Sequence, residues 1–215
     1  MAKAKNVKVE ISPPNFQSVT LRMEGNAPLM THKFSEKMRK QMEEKQTRTD
    51  SVGKKREPKD YVAEFNAARY ISTKGWDGIP AGAIRAAMIA ACRTIEGLTM
   101  VKAKGAFFIK ADGREVTDGT PLVRINGKAK HDTRPVRLES GVADMRNRPR
   151  YDDWSCDVTI EFDADALSVS DVTNLLARAG VHVGLCELRP QAPNSFGGDF
   201  GTFSVKQAKR LKAVA

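Results

Sequence analysis

Cysteine is scarce in this chain: only Cys92, Cys156 and Cys186 occur, an odd number with no C-x-x-C spacing. Neither a disulfide framework nor a zinc knuckle is supported, and a reducing cytoplasm is the expected setting. The three histidines, His32, His131 and His182, stand far apart, with no metal-ligand spacing and no nucleophile elbow beside them. No stretch approaches eighteen consecutive apolar residues, and the basic start MAKAKNVKVEIS lacks the apolar run of a signal peptide. Export and a membrane partner are therefore not expected. The glycine-rich FGGDFG precedes a strand pattern and is followed by no G-K-[ST], which excludes a nucleotide-binding P-loop. Asp152, Asp153, Asp157, Asp163 and Asp165 are dense, but on alternating strand and turn positions they would not converge on a magnesium ion. The expectation is no metal, no cofactor and no catalytic residue.

Positive charge is abundant. The 215 residues carry 36 Lys and Arg against 26 Asp and Glu, a formal charge of +10. Nucleic acid is the leading partner class for such a surface, although many basic proteins are merely well solvated. The excess is uneven: from His32 to Lys59 there are ten basic and five acidic residues, which is +5 of the +10. This segment opens with SEKMRKQMEEKQ, a helix-forming run whose apolar stripe of Phe34, Met38 and Met42 is too thin to seat it in a core. It continues as TRTDSVGKKREPKD, which has almost no apolar residue. We read 31–73 as an inserted basic arm that orders on a phosphate backbone, with Lys33, Lys37, Arg39, Lys40, Arg48, Lys54, Lys55 and Arg56 as its contacts. The bland alternative is a solvated surface.

Around the arm the periodicities are clearer. Val7, Val9 and Ile11 alternate with polar residues, as do Val19, Leu21 and Met23, giving two half-buried strands. In GIPAGAIRAAMIAACRTIEG, Ile84, Ala87, Met88, Ala91, Cys92 and Ile95 recur at helical spacing, so a core helix entered through Pro80 is expected to stop near Gly97. Residues 105–125 read as short strands turned at Asp112-Gly113 and Asp118-Gly119. SCDVTIEF sets Cys156, Val158, Ile160 and Phe162 on one face and Asp157 and Glu161 on the other. Ser168 or Ser170 caps a helix with Val172, Leu175, Leu176 and Ala179 on one side, and 201–205 is the last strand. The fold class is α+β: one domain over 1–215 with a ferredoxin-like β-α-β-β-α-β core, interrupted by the arm after its first strand.

This order, with the small-residue helix of GIPAGAIRAAM and the loop NSFGGDFGTFSV before the last strand, resembles the RAMP superfamily, the repeat-associated mysterious proteins. Within it the likeness is to backbone subunits of CRISPR effector complexes. MTHKFSEKMRKQ, GIPAGAIRAAMIAACR and GLCELRP are also similar to uncharacterised proteins of tailed phages, which would place the chain in a host cytoplasm. The resemblance implies polymerisation along a nucleic-acid strand, with the glycine-rich loop and first helix close to its backbone. The matching positions are Gly197, Gly198, Phe200 and Gly201, with Arg85 and Arg93 on the helix. Glycines expose amides to phosphate oxygens and arginine adds planar, multidentate charge. The alternative for the loop is a tight turn into a strand, with Arg189 paired to a surface carboxylate.

RNRPRYDDW adds Arg146, Arg148 and Arg150, which point one way in an extended chain, beside Tyr151 and Trp154 as stacking candidates; Trp76 is a third. With Arg189 these complete the expected contact set. The wet face of SCDVTIEF is acidic, so the strand is expected to avoid it. The function expected is sequence-tolerant binding of single-stranded RNA or DNA, with self-association into a filament or ring. The alternative is a phage structural or assembly protein, or a mimic of a CRISPR subunit, acting through protein partners.

Overall fold

Ten strands and four α-helices are defined in the computed structural model, which describes residues 11–34, 39–40, 42–44, 59–137, 141, 143–193 and 197–207. In chain order they are β1 (Phe16–Gly25), β2 (Leu29–Met30), α1 (Tyr61–Ala67), β3 (Gly78–Pro80), α2 (Ala81–Ala91), α3 (Met100–Ala106), β4 (Phe107–Lys110), β5 (Gly113–Arg114), β6 (Pro121–Arg124), β7 (Lys130–Arg137), β8 (Ala143–Tyr151), β9 (Ser155–Asp163), α4 (Val169–Arg178) and β10 (Phe203–Gln207). The protein is α+β, and all its strand pairs are antiparallel.

The main sheet runs β10-β1-β9-β4. Alternation dictates its two faces: Val19, Leu21 and Met23 of β1 and Cys156, Val158, Ile160 and Phe162 of β9 are buried, whereas Asp157 and Glu161 are exposed, as their pattern predicts. Against the buried side lie Ile84, Ala87 and Met88 of α2 and Val172, Leu175 and Leu176 of α4, all members of one core. The alanines of α2 leave its surface low, and the two helices pack directly on each other. Ser168 caps α4 in a capping box with Asp171, resolving the choice between the two serines. Past Arg178 α4 loosens into a π turn, Ala179–Val183, and the residue with positive φ that follows is Gly184 (φ +71).

Two small sheets, β2-β8-β7 and β3-β6-β5, complete the fold. The strands expected within 105–125 exist but divide: β4 joins the main sheet while β5 and β6 pair elsewhere. The expected first strand, Val7 to Ile11, lies outside the described residues apart from Ile11, which is exposed and in no strand. Of the arm, 35–38, 41 and 45–58 lie outside them; Arg39, Lys40 and Met42–Glu44 are helical, with Met42 exposed. The end of the 31–73 stretch is built into the body. Asp60 caps α1, Phe65 is buried with its ring stacked 3.8 Å from that of His131 on β7, and Arg69 grips Asp77 through two hydrogen bonds of 3.0 Å.

Candidate functional site

The β7–β8 hairpin gathers the densest charge in the body of the molecule. Arg146, Arg148 and Arg150 do share one face of β8, as their spacing predicts. Opposite them on β7 stand Arg134, Asp132 and Lys130 respectively. Cations facing one another across a ladder repel unless carboxylates intervene. Asp132 supplies one, accepting from Arg134 and, at 2.7 Å, from Nη1 of Arg150. Asp152 takes Nζ of Lys130 and Nε of Arg150, each at 2.7 Å. Asp144 takes Nζ of Lys59 at 2.6 Å and Nε of Arg146 at 3.5 Å. The hydrogen bonds from Arg134, Lys130 and Lys59 respectively lead the effects that hold Asp132, Asp152 and Asp144 below the usual carboxylate range. Through Lys59 the C-terminal root of the basic segment is fastened to this hairpin.

Arg148 is different. Its side chain is 6% exposed, its Nη1 lies 3.5 Å from Oε2 of Glu187, and its Nε has no hydrogen-bond partner among the described residues. Burial lowers its pKa, and Arg146 and Arg134 push the same way against the pull of Glu187. Glu187 is held low, first by the His32 imidazole, whose Nδ1 lies 3.8 Å from its Oε1, and then by the charge of Arg148.

The glycine loop reaches the same hairpin, because Cζ of Arg134 sits 5.1 Å from the centre of the Phe200 ring. Its amides are not open cradles, however. Gly201 N–H donates to Pro28 O at 2.8 Å and Gly198 N–H to Arg189 O at 3.4 Å. A Cβ on Gly201 would stand 2.0 Å from Leu185 O, and one on Gly198 2.2 Å from Leu188 O. Close approach of the chain to itself is what demands glycine there, and both amides have partners within the chain. Arg189 donates to Cys186 O at 2.6 Å, which is not the carboxylate partner of the alternative.

Other expected contacts are dispersed. Arg85 donates to Phe107 O at 3.1 Å and to Lys104 O, and lies over the Phe108 ring, beside β4. β4 and β10 are opposite edges of the main sheet, so Arg85 does not join the glycine loop. Arg93 is exposed beside Met100. Lys33 is partly buried and paired with the buried Glu115, their side chains 10% and 1% exposed and their charges 2.5 Å apart, so it is not an open cation. Arg39 is exposed and 3.7 Å from Glu43; Lys40 is exposed. Lys37, Arg48, Lys54, Lys55 and Arg56 lie outside the described residues. The three stacking candidates serve packing. Tyr151 and Trp154 are buried, Trp154 donating to Ala27 O at 2.9 Å, and the Trp76 ring covers Gly78 and Gly113.

Sequence reasoning missed Lys130 and Arg134, although K-x-D-x-R carries the same alternation as the β8 row. It also missed Phe16 and Phe108, 46% and 42% exposed with centroids 6.1 Å apart on the open sheet face. Among the described residues no group of three His, Cys, Asp or Glu is placed to hold a metal, and no helix is long and apolar enough to cross a membrane. No protein-family model matches the chain, and no curated protein matches it either.

Proposed function

We propose that this chain is a sequence-tolerant, non-enzymatic single-stranded nucleic-acid-binding protein that assembles along the strand, and that its core is the ferredoxin-like arrangement of a RAMP-type protein. What supports the core assignment is the succession β1, α2, β4, β9, α4, β10 with strand order β10-β1-β9-β4, which is the β-α-β-β-α-β series with its first and third strands central. The observation that carries the functional reading is the convergence on one hairpin of Lys130, Arg134, Arg146, Arg148 and Arg150 with Phe200 and with Lys59, the root of the basic segment. Arginine forks and a ring within reach of one another suit a flexible chain of phosphates and bases. The strand runs along the hairpin and the basic segment, not over the acidic centre of the main sheet.

A second reading, action through a protein partner as in phage assembly or mimicry of a CRISPR subunit, is favoured by the Phe16–Phe108 pair lying beside Glu161. Size-exclusion chromatography with single strands of increasing length separates the two. Complexes that grow with strand length support nucleic-acid assembly, whereas an elution volume unmoved by any strand supports the protein partner.

A further inference from the structure

Arg148 carries a cost that the protein alone does not offset. A buried guanidinium normally has its donors matched, because each unmatched one forfeits the water it left. Among the described residues Nε is unmatched, and the facing carboxylate of Glu187 stands at 3.5 Å, beyond a close charged hydrogen bond. The other acids of the hairpin are committed elsewhere: Asp132 to Arg134 and Arg150, Asp144 to Lys59 and Arg146. Glu187 in turn lies 3.8 Å from His32, and its side chain is 38% exposed against 6% for Arg148, so it is the member of this pair that meets solvent. It sits between two left-handed non-glycine residues, Cys186 (φ +61) and Leu188 (φ +56), on a segment held at strained angles.

We propose that Arg134, Arg146 and Arg148 form a seat for one phosphate of a nucleic-acid backbone, and that the Glu187 carboxylate closes it as an internal counter-ion which that phosphate displaces. The inference rests on the nucleic-acid reading above and adds the group recognised and the residue that competes for it. A tetrahedral phosphate brings more acceptor oxygens than the carboxylate, enough to satisfy Arg148 and still reach the two flanking forks.

The test is Glu187→Gln, compared with wild type in two assays. In fluorescence anisotropy with a labelled single-stranded 30-mer at fixed salt, the variant binds roughly threefold to tenfold tighter, the scale of one recovered charge-assisted hydrogen bond. In thermal unfolding the unliganded variant melts lower, because Arg148 has lost its counter-charge, and inorganic phosphate raises its Tm more than that of wild type, while chloride at equal ionic strength does not. Adding Arg148→Met to the variant removes both gains, and because this double change replaces a buried charge by an apolar side chain, a cooperative melt is expected to show the fold retained. Wild type that binds the strand while Glu187→Gln binds equally or more weakly overturns the seat and leaves the functional reading standing. Stabilisation by phosphate with no gain for the strand overturns the backbone assignment in favour of a free-phosphate site. Wild type that binds no strand at all removes both.

Discussion

Gly201 is demanded by the backbone it packs against. Its φ of +66 and the 2.0 Å that would separate a Cβ from Leu185 O make it a packing requirement. Gly201→Ala is expected to destabilise by about 1–3 kcal/mol or more, measured by urea unfolding, a left-handed non-glycine residue alone costing about that much. A variant of unchanged stability would contradict the packing role. Asp132 is one of the carboxylates that contribute to acid sensitivity. Its carboxyl titrates below the usual value because Arg134 and Arg150 favour its charged form, so it stabilises the fold fully above the unfolded value of about 3.9 and loses that contribution as pH falls through the lower folded value. Asp132→Asn should therefore be less stable than wild type at neutral pH and lose less stability on acidification. Parallel pH profiles would exclude Asp132 as a source of the acid limb.

At the scale of elements, the β7–β8 hairpin was half legible. The β8 arginine row announced itself by its spacing, but Pro135 and Pro149 argue against strands, and neither strand shows the apolar alternation by which β1 and β9 were found. The hairpin is ordered instead by ion pairs, by Asn147 binding the Tyr61 carbonyl, and by α1 packing on β8. Helix α3 was also missed. Seven residues capped by Thr99 give too short a period to recognise, and their lysines diluted it further. By contrast α2, α4, β1 and β9 were readable because one face of each is buried in a single core. The difference between hairpin and helix arginines is testable. Arg146→Gln should weaken strand binding and flatten its salt dependence by about one phosphate contact, while Arg85→Gln, which frees carbonyls at the β4 edge, should lower Tm and leave strand affinity unchanged. Equal losses of affinity would mean that the contact surface extends around the sheet to β4.

For the whole molecule, the +10 charge points to a partner class but not to a surface, because ion pairing redistributes charge in ways that composition does not record. The expected contacts on α2 and in the glycine loop lie apart: Arg85 is beside one edge strand of the main sheet and Phe200 just ahead of the other. What remains is a smaller surface around one hairpin, adjoining the root of the basic segment. Phosphates neutralised there release counterions, each contributing about −0.7 to the slope of log K against log salt for a single strand. The decisive measurement is therefore the affinity for an unstructured single-stranded 30-mer across a salt series. The account predicts a linear fall with a slope of roughly −2 or steeper, the same for unrelated base sequences. Absence of binding at low salt, or affinity that stays level as salt rises, would contradict it.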